Sequence, residues 1–235
     1  MTPTLKILGL ALLVATAACS NKTEPAPSAE APAPQPAESA PAPVTPPAPS
    51  PATAASIAAP KLQAALRDLW HGHIVHARDY ALAVHARKDA DARQAADAVV
   101  ANAKQISGAV AGFYGKAGGD RMMELLGGHW GAVKALTDAR AKGDSAAADT
   151  ATSDLNANAG EIAKFLSSAN PNLPEDTVRG LMLAHGAHHS QQIEQIMAGD
   201  TSGEATTWAA MQQHMDMIAD ALASAIAKQF PDKAS

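Results

Sequence analysis

From residue 61 onward, apolar positions recur in steps of three, four and seven. Leu62, Leu66, Leu69, His73, Tyr80 and Val84 mark one face of a helix; Val99, Asn102, Ile106, Val110 and Phe113 mark a second. No run alternates with period two, so the pattern predicts an all-α domain without strands. Breaks fall at "GKAGGD" (115–120), "KGDS" (142–145), "NPNLPED" (170–176) and "GDTSG" (199–203). Pro60 and Pro174 suit the first turn of a helix, and Asp144 and Asp200 suit N-caps.

The same pattern repeats with a period of 56 residues. "LWHGH" ends at His73, "LLGGH" at His129 and "LMLAH" at His185; Leu69, Leu125 and Leu181 keep the spacing. A second set, Asn102, Asn158 and His214, keeps it too. So do Ile106, Ile162 and Ile218, then Val110, Leu166 and Leu222, and finally Lys88, Asp144 and Asp200. The chain therefore divides without gaps into units 61–116, 117–172 and 173–228, each reading as an αα-hairpin. The expected architecture over 61–230 is a six-helix bundle of three tandem repeats.

The first 60 residues differ in kind. Lys6, an apolar run from Ile7 to Val14 and small residues up to the only cysteine, Cys19, read as a signal peptide over 1–18. The run is too short to span a bilayer. Small residues before a lone cysteine resemble a lipobox, with Thr16 where leucine is usual, and predict lipidation at Cys19; the competing reading is ordinary cleavage with Cys19 incidental. Residues 19–60 hold twelve of the sixteen prolines and only four charges, Lys22, Glu24, Glu30 and Glu38. Alanine and proline without large apolar residues build no core, so the segment reads as a disordered, semi-rigid tether, reaching on the order of 100 Å if extended. Ser20 after Cys19, with no Asp there, predicts an outer-membrane lipoprotein facing the periplasm.

Composition narrows the chemistry. A net charge of −5 without a basic block argues against nucleic acid. With no cysteine beyond Cys19, the domain carries no disulfide, Cys-ligated zinc or CxxC redox pair. HExxH, GxSxG, phosphate-loop and CxxCH motifs are absent, and no glutamate precedes a core histidine by three residues as di-iron bundles require. No catalytic residue is assigned.

What remains is histidine. The periodicity places His73, His129, His185 and His214 on apolar stripes, with Asn102 and Asn158 equivalent to His214. An unpartnered buried imidazole or amide costs on the order of 1–3 kcal/mol, so these groups should meet one another, a ligand or water. If the three units close about a pseudo-threefold axis, His73, His129 and His185 converge, with His214 as a possible fourth ligand of a transition metal. If the units stack as an open superhelix, the three histidines lie a repeat apart and share nothing. The competing reading is a polar core layer that fixes register, with histidine paired to Asn102 or Asn158. An organic ligand and haem held by two of the histidines are further readings. His185, His188 and His189 share one face, as do His73 and His76, so His76, His188 and His189 are accessory candidates. Met182 and Met211 lie three residues before His185 and His214, and mixed imidazole and thioether ligation favours copper over zinc. Plain core filling accounts for either methionine equally well. His71, off the stripe, reads as solvated, as do Glu161, Asp216 and Asp220.

The strings "LW..H" (69–73), "FYG" (113–115), "NA.EIA.FL..ANPN" (158–172) and "H...IAD.L...I.KQFP" (214–231) resemble a family of small, all-helical, functionally uncharacterised bacterial proteins. The resemblance covers most of 61–231. It implies a helical fold with recurrent core histidines at His73, His129, His185 and His214, without His76, His188, His189 or the tether. It implies no activity. Together these readings predict a lipid-anchored helical protein that binds copper or zinc for metal handling or sensing. The alternative is a non-catalytic, partner-binding lipoprotein whose histidines form a structural layer. A metalloenzyme would additionally need an open coordination position.

Overall fold

A computed structural model describes residues 59–234. The expected signal peptide, Cys19 and all but the end of the tether lie outside the described residues. Among those described, the chain forms helices α1 (Pro60–His85), α2 (Asp89–Lys142), α3 (Ser145–Ala169), α4 (Glu175–Ala198), α5 (Thr201–Gln229) and the short α6 (Pro231–Ala234), with no strand. The fold is all-α. No described helix is long and apolar enough to cross a membrane.

Helix α2 is two repeat helices in one. The break expected over 115–120 shrinks to a single residue, Gly115, whose φ of 75° and ψ of 175° lie outside the helical region. The halves, 89–114 and 116–142, fold back so closely that a Cβ at Gly119 would sit 2.7 Å from the Ala111 Cβ and 2.8 Å from the Ser107 carbonyl oxygen. Glycine is required there by contact rather than by backbone freedom. With α2 split at Gly115, six long helices pair as three antiparallel hairpins.

The 56-residue register recurs in backbone detail. Lys88, Asp144 and Asp200 are the N-caps of α2, α3 and α5, and the two aspartates accept bonds from Ala147 and Gly203 backbone N–H groups. A carboxylate N-cap stabilises a helix by about 1 kcal/mol over a residue that makes no such bond. One residue earlier, Arg87, Gly143 and Gly199 all adopt positive φ, at 56°, 70° and 71°. Each donates its N–H to the carbonyl three residues back, and the N-cap that follows it donates to the carbonyl five residues back. Pro60 opens α1, while Pro174 is the N-cap of α4 rather than a first-turn residue.

The ring is closed. Helices α1, α2 and α4 touch one another, α3 packs against α2 and α4, and α5 packs against α4 and α1. Along the α1–α5 seam, Arg67 donates to Asp220 at 2.8 and 2.6 Å, Gln63 donates to Asp220 at 2.7 Å, and His71 pairs with Asp216 at 3.0 Å. His71, Asp216 and Asp220 are thus interhelical partners, not free solvated groups; Glu161 is exposed, as expected, and accepts from Arg121 at 2.7 Å. Besides a small cluster of Ala59, Ala227 and Ala234, the core holds two large apolar ones. One is rich in large side chains such as Leu66, Trp70, Ile106, Leu166 and Leu222. The other is rich in alanine, with Tyr80, Trp130, Leu136 and Leu155 as its bulk.

Candidate metal centre

His73 on α1, His129 on the second half of α2, and His185 on α4 converge as closure requires. Their ring centroids are 5.4, 5.7 and 5.2 Å apart. They occupy the same column of the repeat, so three equivalent helices bring three equivalent side chains to one level. A fourth imidazole, His189, completes the group from one turn further along α4. Each of the four offers one ring nitrogen, and these nitrogens all lie within 4.8 Å of one another. Exposure is 2, 4, 2 and 2% for His73, His129, His185 and His189.

The arrangement has the shape of a tetrahedral site. Four imidazoles bound through about 2.1 Å bonds would place their ring centroids about 5.2 Å apart in all six pairs. The six observed separations run from 4.4 to 5.8 Å. A square-planar arrangement would instead need two pairs near 6.4 Å and four near 4.5 Å.

The protein leaves these nitrogens largely unused. Both nitrogens of His73, Nε2 of His129 and Nδ1 of His185 are buried without a hydrogen-bond partner. His185 Nε2 and His189 Nε2 are 3.1 Å apart, so one donates to the other and the pair shares a proton. Burial is the largest cause holding every member of the group in its neutral form. It pushes His73 down to about 3, with His129 and His76 adding repulsion, and His129 down to about 4, the Asn158 side chain opposing in part. His185 and His189 are likewise held well below the ordinary range, by burial first and by the neighbouring histidines second. Neutral imidazoles at pH 7 present lone pairs, which is what a transition metal needs.

The structure departs from the sequence expectation at the fourth position. His189, expected only as an accessory, belongs to the group; His214 does not. His214 Nε2 faces the Leu181 carbonyl at 2.9 Å, and a carbonyl can only accept, so this nitrogen carries the proton. Asn102 and Asn158 do the same thing through Nδ2, donating to the Leu69 and Leu125 carbonyls at 2.9 and 3.0 Å. All three bonds span 33 residues within one hairpin, and each props the inner helix one turn before its histidine. Space for the amides comes from Gly72 and Gly128, where a Cβ would lie 2.9 and 3.1 Å from Nδ2.

The other candidates lie around the centre. His188 is partly buried, 5.1 Å from His214 between ring centroids, with an unpartnered Nδ1. His76 lines an open groove between α1 and α2 with Asp79, His85 and Asp91. Met182 and Met211 are buried in the larger apolar cluster. One element had no counterpart in the sequence reading. Glu204 of α5 is buried and accepts from Arg78 at 2.6 and 2.9 Å and from Gln192 at 2.8 Å. Its signal was a pair of polar residues, Gln192 and Glu204, in columns otherwise held by Tyr80 and Leu136 and by Ala92 and Ala148.

No protein-family model, curated protein or solved structure matches the chain, in keeping with its resemblance to proteins without an established activity.

Proposed function

We propose that this chain is an envelope lipoprotein that holds one transition metal ion, copper or zinc, between His73, His129, His185 and His189. Its role would be metal handling or sensing. The observation that carries the reading is the meeting of four buried, neutral imidazoles, each offering a nitrogen within 4.8 Å of the others, with both nitrogens of His73, Nε2 of His129 and Nδ1 of His185 left without a partner. A polar layer kept for register alone would satisfy its members, because each orphaned nitrogen costs on the order of 1–3 kcal/mol. Bound metal would recover that cost. Four protein ligands also fill a tetrahedral shell, which suits storage, transfer or sensing better than catalysis at an open position. The membrane anchor rests on the Cys19 context and the Pro/Ala-rich tether, and a protein partner that delivers or takes the ion fits that setting.

Metal content of the purified protein tests the reading. One equivalent of metal is expected for the wild-type chain and well under one for His73→Ala, His129→Ala, His185→Ala and His189→Ala. Stoichiometry unchanged in all four variants would end it. Radiolabelled fatty acid incorporated by the wild-type chain and not by Cys19→Ala tests the anchor.

A further inference from the structure

We propose that the four-histidine centre selects a monovalent ion, Cu(I), against divalent zinc, because the buried part of the domain supplies no negative charge to offset a second positive one. The inference rests on the metal-centre reading and sharpens it.

Every donor in the group is a neutral imidazole, and no carboxylate stands among the grouped atoms. Four protein nitrogens also complete a tetrahedral shell, so no position is left for a hydroxide or other anion to ride in with the ion. A bound ion therefore keeps its full charge within a layer whose four members are at most 4% exposed. Placing an ion in such a medium costs free energy in proportion to the square of its charge, about four times more for a divalent than for a monovalent ion of similar size.

Compensation could come from a buried acid nearby, and among the described residues there is one buried acid, Glu204. It is already committed. Both of its oxygens accept from the Arg78 guanidinium, and one also accepts from Gln192, which sits one turn beyond His189 on α4. The triad is closed and has no net charge to lend. Asp216 and Asp220 are partly exposed at the α1–α5 seam and face His71 and Arg67.

Geometry removes the other strong competitors. Cu(II) and Ni(II) prefer tetragonal or square-planar nitrogen sites, whereas the six ring separations follow a tetrahedron. Cu(I) and Zn(II) both accept a tetrahedron and both bind imidazole, so charge is what separates them.

The test is a competition on the purified full-length protein under anaerobic conditions, with Cu(I) poised by a chromophoric chelator and Zn(II) added. One equivalent of Cu(I) is expected to stay bound against a hundredfold excess of Zn(II), and Ag(I), a redox-inert monovalent ion, is expected to displace it. Loss of Cu(I) to equimolar Zn(II) would overturn the selectivity while leaving a metal centre in place. Retention of neither ion at micromolar concentration would overturn both readings. His189→Glu, which adds one carboxylate to the donor set, should shift the preference towards Zn(II) by tenfold or more. A folded variant with unchanged preference would sink the charge argument, and the wild-type competition decides the matter if that variant does not fold.

Discussion

Two columns of the repeat carry polar side chains, all buried except the half-buried Asn158, and they have different fates. Asn102, Asn158 and His214 sit on the second helices of the hairpins, and each donates to a carbonyl of its own hairpin at 2.9–3.0 Å. His73, His129 and His185 sit on the first helices, point to a common centre and meet His189 there, with four buried nitrogens unpartnered. Spacing and polarity are alike in the two sets; what differs is convergence. Each member of the first set anchors a carbonyl of its own hairpin, with only the Asn102 and Asn158 side-chain oxygens left over, whereas the unpartnered imidazole nitrogens of His73, His129 and His185 belong to one group. A polar group anchored to its own hairpin is architecture, while a convergent unpartnered set calls for a ligand.

That contrast can be broken by substitution. The largest effect belongs to the centre. His129→Leu is expected to lower metal affinity at least a thousandfold, measured by chelator competition, while Asn158→Ala leaves it within a few-fold. In the metal-free protein the order reverses. His129→Leu removes an orphaned nitrogen at similar volume and should leave stability unchanged or raised. Equal loss of metal in both variants would erase the distinction between the columns.

Acid should act on the centre next. The four histidines titrate near 6.5 when unfolded but far lower when folded, with His73 at about 3 and His129 at about 4. Between those values the unfolded chain binds more protons, so stability is full above pH 6.5 and is lost as pH falls towards 4 and then 3. Each such histidine contributes a slope of about 1.4 kcal/mol per pH unit in that window. Denaturant midpoints of the metal-free chain should show a decline that flattens in His73→Leu; a slope unchanged by that substitution would place the titration elsewhere.

Smaller effects belong to the props. Asn158→Ala gives up a bond to the Leu125 carbonyl and should cost about 1 kcal/mol in urea denaturation. Gly72→Ala should cost a similar amount by displacing Asn102, since the new Cβ would lie 2.9 Å from Nδ2. The smallest change is expected where the third unit is remade as the first. His214→Asn with Ala184→Gly should stay within about 0.5 kcal/mol of the parent and keep one metal site. Loss of metal in that double variant would return His214 to the ligand set.

The periodicity made the helices, the hairpins and the convergent column legible, because a 56-residue register repeats both core contacts and caps. It put His214 rather than His189 with the convergent three for a physical reason. His189 aligns with Ala77 and Val133, so it breaks the repeat and was visible only through its four-residue spacing from His185. His214 obeys the repeat, and obedience placed it with the amides that prop the inner helices. The Gly115 bend was hidden by its economy: a reversal expected to take six residues is made by one. Glu204 was hidden because a buried acid is recognised by its partner, and Arg78 lies 126 residues away in sequence.

The seam between α1 and α5 carries a temporal consequence. Asp220 is 153 residues downstream of Arg67, so a growing chain presents its first histidine long before the helices that enclose it exist. Such long-range pairings slow the final step of folding. The seam is thus a late-closing clasp: the contact that completes the ring is among the last that the order of the chain makes available.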